Sequence, residues 1–330
     1  MSKYVPPYEI TNQILTLVSS ISEKIGQITE RNHLDSKPHL RRNNKIKSIH
    51  SSLQIEANSL SLSEVKDVIN GHTVLGTAKE IQEVKNAYAA YEEIPNINPY
   101  SLSDLKKIHG VMTQYIVNES GKFRSGEEGV FNGEECIFMA PPARFVPELM
   151  NELFQWMQIN KKTVHPLIMA AVFHYEFVFI HPFSDGNGRM ARLWHTVILS
   201  KWKPIFEYIP LESQIEKFQE GYYQAIATCH TDGASTRFIE FILRQIDLVL
   251  DDINRQAESS DSFISPYVQK LLDVMQDNLA YSSNELLALL KLKSKDTLRK
   301  NYLNPAIKNG LIQMTLPDVP KSKNQRYIKL

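Results

Sequence analysis

The sixteen residues from His165 to Ile180, HPLIMAAVFHYEFVFI, are apolar nearly all the way round. A helix without a polar stripe has no face to give to water, so it belongs in the middle of a bundle, wrapped by other helices. It is also too short to span a bilayer, which takes about twenty apolar residues. This run therefore commits the chain to a mainly helical fold, and it delivers the backbone directly into a loop of a different kind, HPFSDGNGRMAR, at 181–192.

Helical spacing supplies the surrounding layers. Ile14, Leu15, Leu17, Val18, Ile21 and Ile25 recur at intervals near three and four, which makes an amphipathic helix from Ile10 onward. Further helices are expected at Arg41–Asn58, at Ser63–Ile69 behind a Ser61/Glu64 capping box, and at Ala78–Glu93 before Pro95. Between Gly121 and Pro142 the glycines and Asn132-Gly133 interrupt short runs, as in a hairpin. Beyond the loop, helices are expected at Met190–Lys201, Glu212–His230 and Thr236–Arg255, and the polar stretch Ala257–Ser262 reads as a linker. Helix-length patterns at Pro266–Gln276, Asn284–Leu290 and Lys295–Lys308, then strand-like Leu311–Leu316 and Gln325–Leu330, describe a small winged helix. The expected division is an N-terminal helical region at 1–97, a catalytic core at 98–256 and a winged-helix domain at 257–330.

Lys plus Arg and Asp plus Glu each total 37, so the chain as a whole has no charge that would draw it to nucleic acid or to an anionic membrane. Cys136 and Cys229 form no CxxC pair, which argues against a disulfide framework or a thiolate zinc site. No signal-peptide pattern opens the sequence and no stretch reaches membrane-spanning length, so the expected location is the cytoplasm. Gly71–Lys79 has two glycines, but no lysine directly follows the second, so it is not a phosphate loop of the Walker type. His165, His174 and His195 lack the spacing of a metal site and read as core or surface histidines.

The loop at 181–192 carries the chemistry. Gly186 and Gly188 are read as residues that open unusual backbone angles, so that consecutive N–H groups converge at a helix start, where the dipole favours phosphate. Arg189 and Arg192, three apart on one helix, can reach successive phosphates. Asp185, an acid among phosphates, makes sense when a divalent cation, magnesium, bridges them. His181, titrating near neutrality, can take a proton from an attacking hydroxyl.

The loop matches HPFxxGNGRxxR, the signature of the Fic family, at every fixed position from His181 to Arg192. Gly121-Lys122-Phe123-Arg124 resembles the family's GxFR segment, Pro141-Pro142 with Val146–Met150 the end of its flap, and the resemblance runs from about residue 5 to 330. It implies a Fic-type helical bundle with a β-hairpin flap, and a protein adenylyltransferase that moves AMP from Mg-ATP to a Ser, Thr or Tyr hydroxyl. On that resemblance His181 is the general base, Asp185 the metal ligand, Gly186, Asn187 and Gly188 the cradle of the α-phosphate, and Arg189 and Arg192 the ligands of the outer phosphates. Tyr222 resembles a position near the adenine, and a core tyrosine fits there equally. The flap, with Glu135, Cys136 and Ile137, is expected to pair with the backbone of a target protein. A phosphotransferase branch of the family has lysine where this chain has Gly188.

Ser52 and Glu56 resemble the family's inhibitory segment, [S/T]xxxE[G/N], in which the glutamate takes the arginine equivalent to Arg192 away from ATP. Ala57 stands where Gly or Asn is expected, which bears on how that helix ends rather than on the charge. Near the C-terminus, Lys291–Leu330 holds ten Lys and Arg against Asp296 and Asp318, a patch suited to DNA or to a protein partner. Two readings follow: an autoinhibited adenylyltransferase, or a DNA-binding regulator whose Fic core senses nucleotide. A de-AMPylating variant and a homodimer also remain compatible with the sequence.

Overall fold

The computed structural model describes residues 4–32, 38–132, 135–261, 265–276, 279–317, 319–320 and 322–329. They fall into two compact units, one of residues 1–26 and 43–250, the other of 27–42 and 251–330. In chain order the helices of the first part are α1 (Asn12–Asn32), α2 (Pro38–Ile55), α3 (Leu62–Ile69), α4 (Ala78–Glu92), α5 (Leu102–Met112), α6 (Val146–Asn160), α7 (Pro166–Ile180), α8 (Asn187–Trp202), α9 (Leu211–Lys217), α10 (Gln219–Asp232) and α11 (Thr236–Asp261). Strands β1 (Gly129–Asn132) and β2 (Glu135–Met139) form the antiparallel hairpin between α5 and α6, with a bulge at Val130/Phe131; its turn, 133–134, lies outside the described residues.

Helix α7 lies at the centre of the first unit, buried without a break from Leu167 to Phe177, as its all-round apolar sequence requires. Helix α8 packs along it and is almost as enclosed. Phe173, Phe177, Phe183 and Trp194 are each fully buried, and side chains of this size are worth about 1.5–3 kcal/mol apiece on removal from water. That anchorage fixes the α7–α8 connection, which is the signature loop. The Ser61/Glu64 capping box forms as expected, and Thr77 with Glu80 makes a second one at the start of α4.

The second unit contains α12 (Pro266–Val274), β3 (Ala280–Ser282), α13 (Ser283–Leu289), α14 (Lys295–Thr297), a wide π turn at Leu298–Leu303, α15 (Asn304–Lys308), β4 (Ile312–Met314) and β5 (Arg326–Lys329). The three strands form an antiparallel sheet in the order β3-β5-β4. Val268, Leu271, Leu286, Leu298, Leu303, Ala306 and Ile312 make its own apolar core.

Several boundaries differ from the sequence reading. The stretch expected to be a linker, Ala257–Ser262, is helical as far as Asp261, because alanine and glutamate sustain a helix even where no apolar face continues. The helix expected at Glu212–His230 is interrupted at Phe218, whose backbone leaves the helical range, giving α9 and α10. Helices α5 and α6 and strand β3 are absent from the sequence reading, although Leu105, Ile108 and Met112 on α5 and Met150, Leu153, Phe154 and Met157 on α6 are buried at helical spacing. Among the described residues no helix is long and apolar enough to cross a membrane.

Candidate active site

The signature loop begins with an unusual backbone. His181 ends α7 with φ +50° and ψ +59°, a left-handed conformation that a residue with a side chain adopts only when its surroundings impose it. Arg124 imposes it: Nε donates to the His181 carbonyl at 2.7 Å, Nη2 to Pro141 O, Nη1 to Gly126 O at 2.8 Å, and the Arg124 N–H donates to Pro182 O at 3.0 Å. One buried guanidinium thus ties the end of α7 to both bases of the flap. His181 Nδ1 lies 3.3 Å from the Val178 carbonyl, which can only accept, so Nδ1 carries the proton and Nε2 keeps its lone pair. Burial pushes the His181 pKa below the ordinary histidine value, with Arg124 adding to the effect, so the ring is neutral near pH 7.

The rest of the loop is locked from beneath. Asn187 is buried, its Oδ1 accepting from Phe183 N–H at 3.0 Å and its Nδ2 donating to Phe183 O at 2.7 Å. Both the oxygen and the nitrogen of its side chain are thereby engaged with Phe183, and its backbone N–H lies in the first turn of α8. Phe183 stacks on His109, with ring centroids 3.6 Å apart. His109 Nε2 faces the Asp185 carbonyl at 3.0 Å while Nδ1 accepts from Gly121 N–H at 2.9 Å, and burial lowers its pKa to about 4, which keeps this tautomer neutral. His109 was not singled out in the sequence, where an isolated histidine on a helix carries no signal.

The two glycines do different jobs. Gly186, at φ +80°, has the left-handed angle expected of it and caps α8. Gly188 does not: its backbone is ordinary helix, and the expectation of an unusual angle there is corrected. Its hydrogen side chain makes room instead, since a Cβ at 188 would collide with the Glu56 carboxylate. The first N–H groups of α8 have no partners within the helix and open onto this spot.

Both arginines are buried and both are already paired. Arg192 donates from Nη2 to Glu56 Oε1 at 2.7 Å and to Ser52 O at 3.0 Å, and from Nε to Ser52 Oγ at 3.0 Å. Its side chain is 1% exposed whereas that of Glu56 is 38% exposed, so the anion side of the pair faces outward. Burial opposes the charge on Arg192, but Glu56, with Tyr222 and Tyr91 adding to it, offsets that and holds the pKa above the ordinary arginine value. Arg189 pairs with Asp185 Oδ1 at 2.8 Å and with Glu83 Oε1 at 3.5 Å. Glu83, on α4, is a site residue that the sequence reading missed.

Tyr222 is 2% exposed, with its hydroxyl 2.9 Å from His174 Nε2, and it lies against Arg192 from the interior. His174 and His195 are core residues, and His165 caps α7. Glu135, Cys136 and Ile137 lie on β2, where Cys136 is opposite Phe131; their side chains lie outside the described residues. Among the described residues no cluster of three metal-binding side chains occurs, so Asp185 is the sole carboxylate the loop offers a cation. That fits magnesium, which takes one or two carboxylates and completes its shell with phosphate oxygens and water.

The sequence of residues 99–199 matches the model of the Fic/DOC family, and 266–329 matches that of the Filamentation induced by cAMP protein Fic-like, C-terminal domain. A Fic family protein from Desulfovibrio desulfuricans G20 is similar to it at 43% identity and TM-score 0.74, over 99% of this chain and 98% of that one. Fic-1 of Caenorhabditis elegans shares the fold at TM-score 0.61 and 22% identity, over 75% of this chain and 73% of that one. Curated relatives include protein adenylyltransferase fic-1 of C. elegans, 25% identical over 277 residues, covering 77% of this chain and 52% of that protein. Protein adenylyltransferase Fic of Aedes aegypti is 28% identical over 215 residues, covering 62% and 41%. The chain spans about half the length of the curated relatives it matches. It belongs to the Fic family.

Proposed function

We propose that this chain is a protein adenylyltransferase that moves AMP from Mg-ATP to a Ser, Thr or Tyr hydroxyl of another protein, restrained by Glu56. The observation that carries the reading is the arrangement at the start of α8: a neutral imidazole with a free Nε2 beside unpaired helix N–H groups and two buried arginines. The target's hydroxyl oxygen attacks the α-phosphorus while His181 Nε2 takes its proton. The bond from the α-phosphorus to the bridging oxygen breaks, and pyrophosphate leaves against Arg189 and Arg192. Asp185 would hold magnesium, which neutralises phosphate charge when bound. The flap is assigned to the target backbone, and the relatives' names support both ATP and protein as substrates.

Glu56 supports the autoinhibited form of this reading. A desolvated guanidinium must have an anion. Glu56 supplies one from the solvent side, against Gly188, where a phosphate would otherwise approach. The region 1–97 is accordingly assigned a regulatory role, 98–256 the chemistry, and the location the cytoplasm. The test is label transfer: Glu56→Gly protein with a cell lysate should incorporate label from α-labelled but not γ-labelled ATP, and His181→Ala should abolish it. Label from the γ position alone would identify a kinase, and no transfer with intact ATP binding would favour a nucleotide sensor.

A second role is assigned to the C-terminal unit. Its order of helix, strand, helical segments and two strands supports the winged-helix reading, and Lys295 on α14, Arg299 and Lys300 on the π turn and Lys308 on α15 are exposed. This supports binding of duplex DNA by the same chain. Loss of binding on neutralising these four residues would support it, and retention would overturn it.

A further inference from the structure

Glu83 touches more than Arg189. Its Oε1 lies 3.5 Å from Arg189 Nη1, and its Oε2 accepts from Asn58 Nδ2 at 2.9 Å. The Glu83 side chain is 12% exposed and Asn58 is 3% exposed, so both bonds sit in a setting where an unmet polar group is costly. Asn58 also closes the end of α2: its backbone N–H bonds the Leu53 carbonyl at 3.1 Å, and the N–H of Ala57 bonds Gln54 O at 2.9 Å. Glu56 lies between those caps and the last turn of the helix.

A continuous polar path therefore leaves α8 at Arg189 and crosses Glu83 to Asn58. From there it follows the α2 cap to Glu56 and returns to α8 at Arg192. We propose that Glu83 is a positioning residue that couples the two phosphate-reading arginines: while it holds Asn58 and Arg189 together, the end of α2 is fixed and Glu56 stays on Arg192. An anion that draws Arg189 away from Glu83 weakens the Asn58 anchor and with it the hold of Glu56. This deepens the adenylyltransferase reading and rests on its assignment of Arg189 and Arg192 to the outer phosphates.

The geometry makes the coupling specific. Asn58 Nδ2 also donates to Glu80 O at 3.3 Å, and Asn58 Oδ1 accepts from Leu60 N–H at 3.2 Å. The Glu80 contact holds Asn58 to α4, as Glu83 does, and the Leu60 contact is local; of these partners Glu83 is the one that continues to α8 through Arg189. The Arg189–Asp185 pair lies within the loop and reaches nothing on α2. Removing the Glu83 charge should accordingly act on the Glu56 cap, which a general loss of packing would not do selectively.

The experiment has two arms. Hydrogen exchange reads the cap without catalysis: in Glu83→Gln and Asn58→Ala the amides of Ala57 and Asn58 should exchange about five-fold faster or more, the low end of ordinary coupling energies, while α7 amides stay unchanged. In AMP transfer, both variants should raise the rate by a similar factor when Glu56 is present and should not raise it in the Glu56→Gly background. Unchanged exchange at the cap, or the same factor in both backgrounds, overturns the coupling. Faster exchange with no transfer by any variant leaves the coupling in place and removes the adenylyltransferase reading instead.

Discussion

Glu56 and Gly188 fill one another's space: the carboxylate of the first rests where any side chain on the second would have to go. Gly188→Ala should therefore force Glu56 off Arg192 and lower thermal stability, because a buried guanidinium that loses its anion is left uncompensated. In a Glu56→Gly background the same substitution should cost little more. A melting comparison of the four proteins checks this, and equal losses in both backgrounds would show that Gly188 serves some other end.

The C-terminal cap of α2 is strained. Ala57 adopts φ +64° while completing the cap, a conformation that costs a residue with a Cβ about 1–2 kcal/mol. Ala57→Gly, a change that ordinarily destabilises a helix, should here stabilise the protein by about 1 kcal/mol. Denaturant unfolding would reveal it as a higher midpoint with an unchanged slope.

Burial lowers the pKa of His181. A base must be neutral to accept a proton, so transfer by Glu56→Gly protein should fall only as pH drops through a midpoint below the ordinary histidine value. A pH–rate profile whose acid limb lies above pH 7 would contradict that role.

Glu176, in the middle of α7, accepts a hydrogen bond from the Tyr4 hydroxyl at 2.5 Å, and burial raises its pKa from 4.5 to about 7. The folded chain holds this proton more tightly than the unfolded chain does, so stability falls as pH rises from about 4.5 and levels off above about 7. Glu176→Gln should remove that slope, gaining up to about 3 kcal/mol on the parent at pH 8 relative to pH 5. Parallel stability curves for the two proteins would refute it.

The sequence made some levels of this molecule readable and hid others. The α7 run and the 181–192 loop were readable because one declares its burial through composition and the other its function through fixed spacing. Arg192 and Glu56 were paired by resemblance, and the distance between them is short. His109, Glu83 and the Arg124 clamp were hidden because each acts across a large sequence separation on a backbone carbonyl or a single side chain. Gly188 was misjudged for a related reason: a glycine kept for clearance and a glycine kept for conformation look alike until a neighbour such as Glu56 is seen.

The clasp of Asn187 on Phe183, with His109 beneath and Arg124 behind, sets the backbone of the 181–192 loop in advance of any ligand. With that backbone held, modulation falls to the charged side chains around its rim, Glu56 and Glu83 among them. Such a division lets turnover drift over a wide range through substitutions near one helix terminus, with the reacting centre untouched.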